Sequence, residues 1–207
     1  MILYLPIILV IALLVVDRSF AVFWHAELHR KLAHILGGMG MYWIVTHGSF
    51  WEVLTIGLIL TAGLFLLHKW KYLAILNYAT KSNRGLGEWY FALAIILLFG
   101  ISSYMNTPLA IKALAAGILV VTFADGLAPF GWYLWGKPLY QSKTFWGTSM
   151  CAFITFLIGI FYIEWSIIPA LLFAIIIAVA ELFSKKGIDN LVLPLITFGM
   201  VCGLGMI

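Results

Sequence analysis

Eleven of the twelve lysines and arginines in this chain fall in every second break between its apolar runs. The runs cover about 2–23, 32–50, 51–68, 88–106, 108–125, 148–163, 165–183 and 189–207. Several approach the roughly 20 residues that cross a bilayer as a helix. The breaks alternate in kind. Short ones, at 47–51, 106–108 and 164–166, hold no lysine or arginine. Polar ones, at 17–31, 69–87, 126–147 and 184–190, hold Arg18, Arg30, Lys31, Lys69, Lys71, Lys81, Arg84, Lys137, Lys143, Lys185 and Lys186. Lys112, inside the fifth run, stands apart and is assigned no chemistry. Membrane proteins keep their basic loops in the cytosol. The pattern therefore predicts about eight transmembrane helices, polar loops in the cytosol and both termini on the other side. An odd number of spans would destroy the alternation.

Bulk composition supports the same reading. The chain is 64% hydrophobic and only 10% charged, against about 25% charged in soluble domains. No soluble core of this length hides so much apolar surface, so lipid must be its solvent. The expected fold is an all-α polytopic membrane protein forming one domain over residues 1–207, with any active site at the cytosolic face. The first sixteen residues lack a basic leading region, and no small-residue cleavage site follows them, so they read as a retained first span. Cys151 and Cys202 lie in apolar runs and read as small buried hydrophobes. Trp51, Trp70, Tyr72, Trp89, Tyr104, Trp132, Trp135 and Trp165 sit near run ends, as interfacial anchors do. The net charge of +4 is modest, and no nucleic-acid partner is expected.

Six of the eight acids, Asp17, Glu27, Glu88, Asp125, Glu181 and Asp189, lie at the basic edge. A charge entering the membrane region calls for a partner or a function. In ELHRKLAHILGG (27–38), a helix would put Glu27, Lys31 and His34 on one face, with Arg30 one turn from Glu27. This is either an amphipathic entry to the second span or a cation pair for phosphate. His34, one turn deeper, would be a proton carrier or a further phosphate donor. A zinc site at His25, His29 and His34 has no cysteine or H-E-x-x-H pattern behind it.

Asp125 ends the fifth run, and Gly126, Gly131, Gly136 and Gly147 follow, with Lys137, Lys143 and Thr144 among them. Glycine admits phosphates close to the backbone, and a neighbouring acid can hold Mg²⁺ against their charge. The stretch is neither a P-loop nor a Rossmann turn; otherwise it is a re-entrant loop. Glu181, Lys185, Lys186, Asp189 and Asn190 crowd the seventh break. They offer oxygen ligands for a hard cation flanked by lysines, unless Asp189 and Asn190 merely cap the last helix. Glu88 either joins this inventory or favours its own helix N-terminus. Acids, cations and glycines at one boundary suit phosphoryl chemistry, which depends on positioning and charge neutralisation.

Five motifs occur in order: E-x-x-R-K-x-x-H-x-x-G (27–37), G-E-x-Y-F (87–91), D-G-x-A-x-x-x-G-x-x-x-x-G-K (125–137), K-T-x-x-G-T (143–148) and E-x-x-x-x-x-G-x-D-N-x-x-x-P (181–194). This series resembles the CTP-dependent lipid-alcohol kinases of dolichol, phytol and diacylglycerol, relatives of the CDP-diacylglycerol synthases. The resemblance implies transfer of the γ-phosphate of CTP to a membrane lipid alcohol, with Mg²⁺. It makes Asp125 and Asp189 the chief metal or catalytic carboxylates, supported by Glu27 and Glu181. Arg30, Lys31, Lys137 and Lys143 would neutralise the triphosphate, and Asn190 and the glycines would line the nucleotide pocket. Family members often carry an acid where Trp146 stands here, so that acid's role does not transfer. A CTP:phosphatidate cytidylyltransferase needs the same parts, and a transporter is the non-enzymatic alternative. Gly199-x-x-x-Gly203 can pack helices within one protomer or between two, which leaves a homo-oligomer open.

Overall fold

The computed structural model describes residues 26–70, 87–128, 138–140, 143–185 and 187–205. Seven helices fill them: α1 (Ala26–His47), α2 (Phe50–Trp70), α3 (Gly87–Met105), α4 (Pro108–Leu119), α5 (Phe145–Phe161), α6 (Ile167–Phe183) and α7 (Asp189–Leu204). They coincide with seven of the eight apolar runs; the first run lies outside the described residues. Two stretches, Gly87–Met105 and Pro108–Ala128, are long and apolar enough to cross a membrane by length and composition. The second is α4 continued through a π-helical turn, Val120–Asp125, to residue 128. Four shorter apolar helices, from Phe50, Phe145, Ile167 and Asp189, accompany them.

Local sequence explains the starts. Ser49 and Glu52 form a capping box before α2: the Ser49 amide donates to Glu52 Oε2 at 2.8 Å, and the Glu52 amide donates to Ser49 Oγ. Each satisfies an amide that the first turn would leave bare. Thr107 caps α4 by accepting from the Ala110 amide at 3.2 Å, with Pro108 just inside, where its missing N–H costs nothing. Thr144 caps α5 through the Gly147 amide at 3.1 Å.

α4 runs through the middle. Ala113, Leu114, Ala115, Ala116, Ile118, Val120 and Val121 are fully buried, which explains its run of small and branched residues. It packs on α1, α3 and α7, while the π turn also meets α5. At Gly117 the approach to α7 is so close that a Cβ would lie 3.1 Å from Pro194 Cα. Outward faces are apolar: on α6 alone, Ile168, Leu171, Leu172, Ile175, Ile176 and Val179 are exposed. Such a belt suits lipid and would aggregate in water.

The glycine-rich stretch before α5 departs from an all-helical reading. Pro138–Tyr140 pairs antiparallel with Lys143–Thr144 in a two-stranded hairpin. Tyr and Thr favour extended chain, and Pro138 is tolerated because a two-stranded ladder is all edge.

Consecutive helices alternate in direction. The starts of α1, α3, α5 and α7 therefore gather with the ends of α4 and α6 at one end of the bundle. The short turns lie at the other end. Lys112 belongs there, its Nζ 3.2 Å from Glu164 Oε1 and 3.4 Å from the Ile163 carbonyl.

Candidate active site

Three helix ends bring three carboxylates together. Asp125 closes the π turn, Glu181 lies in the last turn of α6, and Asp189 opens α7. One oxygen from each falls within 4.8 Å of the others. All three are buried, Glu181 to 1% exposure. Like charges so close and so dry repel strongly unless cations neutralise them.

Two lysines do so. Lys143, at the second hairpin strand, donates to Glu181 Oε1 and, at 3.0 Å, to Asp189 Oδ2. Burial alone would push its ammonium down, but Asp189, Asp125 and Glu181 hold it well above the usual lysine range. It stays charged at any working pH. Lys31, on α1, is 3% exposed and donates to Asp125 twice, to Oδ2 at 2.7 Å and to the main-chain carbonyl at 2.8 Å. Among the described side chains, three carboxylates face two ammonium groups, a balance that favours further positive charge.

Other groups fix the oxygens. Thr148 Oγ1 donates to Glu181 Oε2 at 3.3 Å, one turn beyond the capping Thr144. Asp189 does not cap α7; Ile188 occupies that position. Instead Asp189 Oδ1 accepts from the Asn190 amide at 3.1 Å. Asn190 is buried, and its Oδ1 has no hydrogen-bond partner among the described residues. Its carbonyl also lacks the usual helical donor, because Pro194 four residues on has no N–H. His34 Nε2 lies 3.1 Å from the Val121 carbonyl and 3.9 Å from Asp125 Oδ2. Its ring tilts against Phe91, 5.4 Å between centroids.

The sequence-derived residues thus divide. Asp125, Glu181, Asp189, Lys31, His34, Lys143 and Asn190 converge, with Gly126, Thr144 and Gly147 buried beside them. Gly87 joins them, since a Cβ there would meet Asn190 Nδ2. Glu88 lies in the first turn of α3, and Lys185 is exposed in the α6–α7 turn. Glu27 and Arg30 fall in the first turns of α1, their side chains outside the described residues. Gly131, Gly136, Lys137 and Lys186 also lie outside them. Sequence reasoning passes over Thr148 as a carboxylate partner. The signal is present, because Thr144 and Thr148 are four residues apart on one helix face.

Comparison with known proteins decides the class. No family model matches the chain, and no solved structure matches it. A phytol kinase from Synechocystis sp. is 31% identical over 184 residues, covering 82% of this chain and 76% of the relative. The chain belongs to the lipid-alcohol kinase family. For a lipid-alcohol kinase the cluster has the right chemistry, with hard oxygen donors and cations at the end of an apolar bundle. The transporter reading gives way to an enzyme that phosphorylates a lipid alcohol.

The donor set also fits a divalent ion. Three buried carboxylate oxygens lie within reach of one centre and already draw in the Lys143 ammonium. Hard, octahedral ions such as Mg²⁺ take such ligands.

Proposed function

We propose that this lipid-alcohol kinase transfers the γ-phosphate of CTP to the hydroxyl of a membrane isoprenoid alcohol of the phytol or polyprenol type, with Mg²⁺. The buried cluster of Asp125, Glu181 and Asp189, in a chain related to a phytol kinase, carries this reading. Mg²⁺ held by these carboxylates would neutralise the oxygens of the transferring phosphate. Lys143, in contact with Glu181 and Asp189, would add a cation for the triphosphate. The lipid hydroxyl oxygen bonds to the γ-phosphorus as the bond to the bridging oxygen breaks, and CDP leaves. The hydroxyl proton passes to a neighbouring carboxylate or to water, because the loose transition state asks for little base strength.

The bundle is read as spanning the bilayer eight times, with this end in the cytosol, where CTP is. The basic loops at 69–87 and 184–190 support that orientation. The lipid alcohol would reach the site from the apolar flanks.

The test is transfer of label from γ-labelled CTP, by purified protein in detergent or nanodiscs, to phytol, polyprenols, dolichol and diacylglycerol, with ATP as competing donor. Labelled lipid monophosphate formed with CTP and far less with ATP supports the reading. Pyrophosphate and a CDP-lipid formed from phosphatidate would instead make it a cytidylyltransferase.

A further inference from the structure

α1 lies along the π turn through one stripe of residues. Lys31 donates to the Asp125 carboxylate and carbonyl at 2.7 and 2.8 Å. His34, one turn on, meets the Val121 carbonyl at 3.1 Å. A carbonyl only accepts, so His34 Nε2 carries the proton. Ile35 fills the space beside Gly126, where a Cβ would come within 2.8 Å of its Cγ1. At Gly38 the contact is closer still, and a Cβ would collide with the Thr122 side chain. Positions 31, 34, 35 and 38 repeat at helical spacing, so one face of α1 follows the whole turn.

A π turn holds an extra residue and shifts carbonyls off the α-helical ladder. It is therefore the element most in need of outside support, and its last residue is Asp125. Both carbonyls gripped by α1 belong to it. Lys31 and His34 are also nearly sealed from solvent, at 3% and 7% exposure, with their polar ends on these carbonyls.

We propose that Lys31 and His34 are positioning residues, neither phosphate ligands nor proton carriers: they splint the π turn Val120–Asp125 and so aim Asp125 at Glu181 and Asp189. The kinetic arm of the test rests on the kinase reading above; the backbone arm does not.

Amide hydrogen exchange over residues 118–128 is compared for wild type, His34→Leu, His34→Gln and Gly38→Ala in the full-length protein. His34→Leu and Gly38→Ala speed exchange in this segment at least tenfold, while α6 and α7 stay protected. His34→Gln, which keeps an N–H for the Val121 carbonyl, stays within threefold of wild type. Kinetically, His34→Leu and Gly38→Ala lower kcat at least tenfold with the KM for CTP within twofold, and His34→Gln recovers most of the rate. Unchanged exchange in His34→Leu and Gly38→Ala overturns the splint. Activity lost equally in His34→Gln and His34→Leu returns His34 to proton transfer. A tenfold rise in the KM for CTP with normal kcat, in Lys31→Met, makes that lysine a phosphate ligand. Wild type inactive with CTP sinks the CTP-dependent reading alone, since exchange still reports the splint.

Discussion

Lys143 occupies ground that a divalent ion would share. Its ammonium sits on Glu181 and Asp189, so an ion bound by these carboxylates would compete with it for the same oxygens, and a phosphate would offer the lysine another partner. Replacing Lys143 with Met should tighten nucleotide-free Mn²⁺ binding by about tenfold, equivalent to about 1.4 kcal/mol of lost repulsion, and should raise the KM for CTP. Calorimetric titration and steady-state kinetics read the two effects. Looser Mn²⁺ binding would mean that Lys143 organises the carboxylates instead of competing for them. Lys31 makes a different case. Removing it strands the buried Asp125 carboxylate, a loss of about 3–5 kcal/mol, and Asp125→Asn in the same chain should recover most of that in a denaturant cycle. Full additivity of the two changes would contradict the pairing. The three carboxylates are legible in sequence as acids at alternate run ends. The attachment of Lys31 to Asp125 is not, because it spans 94 positions and depends on backbone geometry.

Among the elements, the π turn is what sequence conceals most. Val-Val-Thr-Phe-Ala-Asp has the composition of an ordinary buried helix, and nothing in its periodicity announces an extra residue in the turn. The seven described helices are legible because apolar length and short turns mark them, and Ser49, Thr107 and Thr144 mark three starts. The pairing of Pro138–Tyr140 with Lys143–Thr144 is hidden in a stretch whose glycines suggest only a loop. Where α4 crosses α7, Gly117 is in tight contact with Pro194. Gly117→Val should therefore force the two helices apart and destabilise the protein by about 1–3 kcal/mol, the usual cost of overpacking. Thermal unfolding in detergent measures it, and an unchanged midpoint would show that the crossing is looser than the distances say. Gly199 and Gly203 differ: a Cβ at either meets nothing within 4 Å among the described residues, so Gly199→Ala should leave the midpoint unmoved.

At the scale of the whole molecule, alternation of helix direction turns scattered acids into one site. The described helix termini that flank the polar breaks meet at the same end, so residues as distant in sequence as Lys31 and Asp189 come to share a cluster. The same alternation sends Lys112 and Glu164 to the far end, where they pair away from the carboxylate cluster. Orientation follows if the basic loops face the cytosol. In a cysteine-free background, a single cysteine at Ser184 should react with an impermeant thiol reagent only from the cytosolic side, and one at Tyr104 only from the other; reversed labelling would refute the topology. Phosphoryl transfer is proposed to take place at that end of the bundle. It is tested most directly by following γ-labelled CTP and phytol with wild type and Asp125→Asn side by side in Mg²⁺. Wild type should yield labelled lipid monophosphate and unlabelled CDP, and the variant, still folded, should fall by about 10²–10³-fold or more. Transfer that survives undiminished in Asp125→Asn would contradict the account.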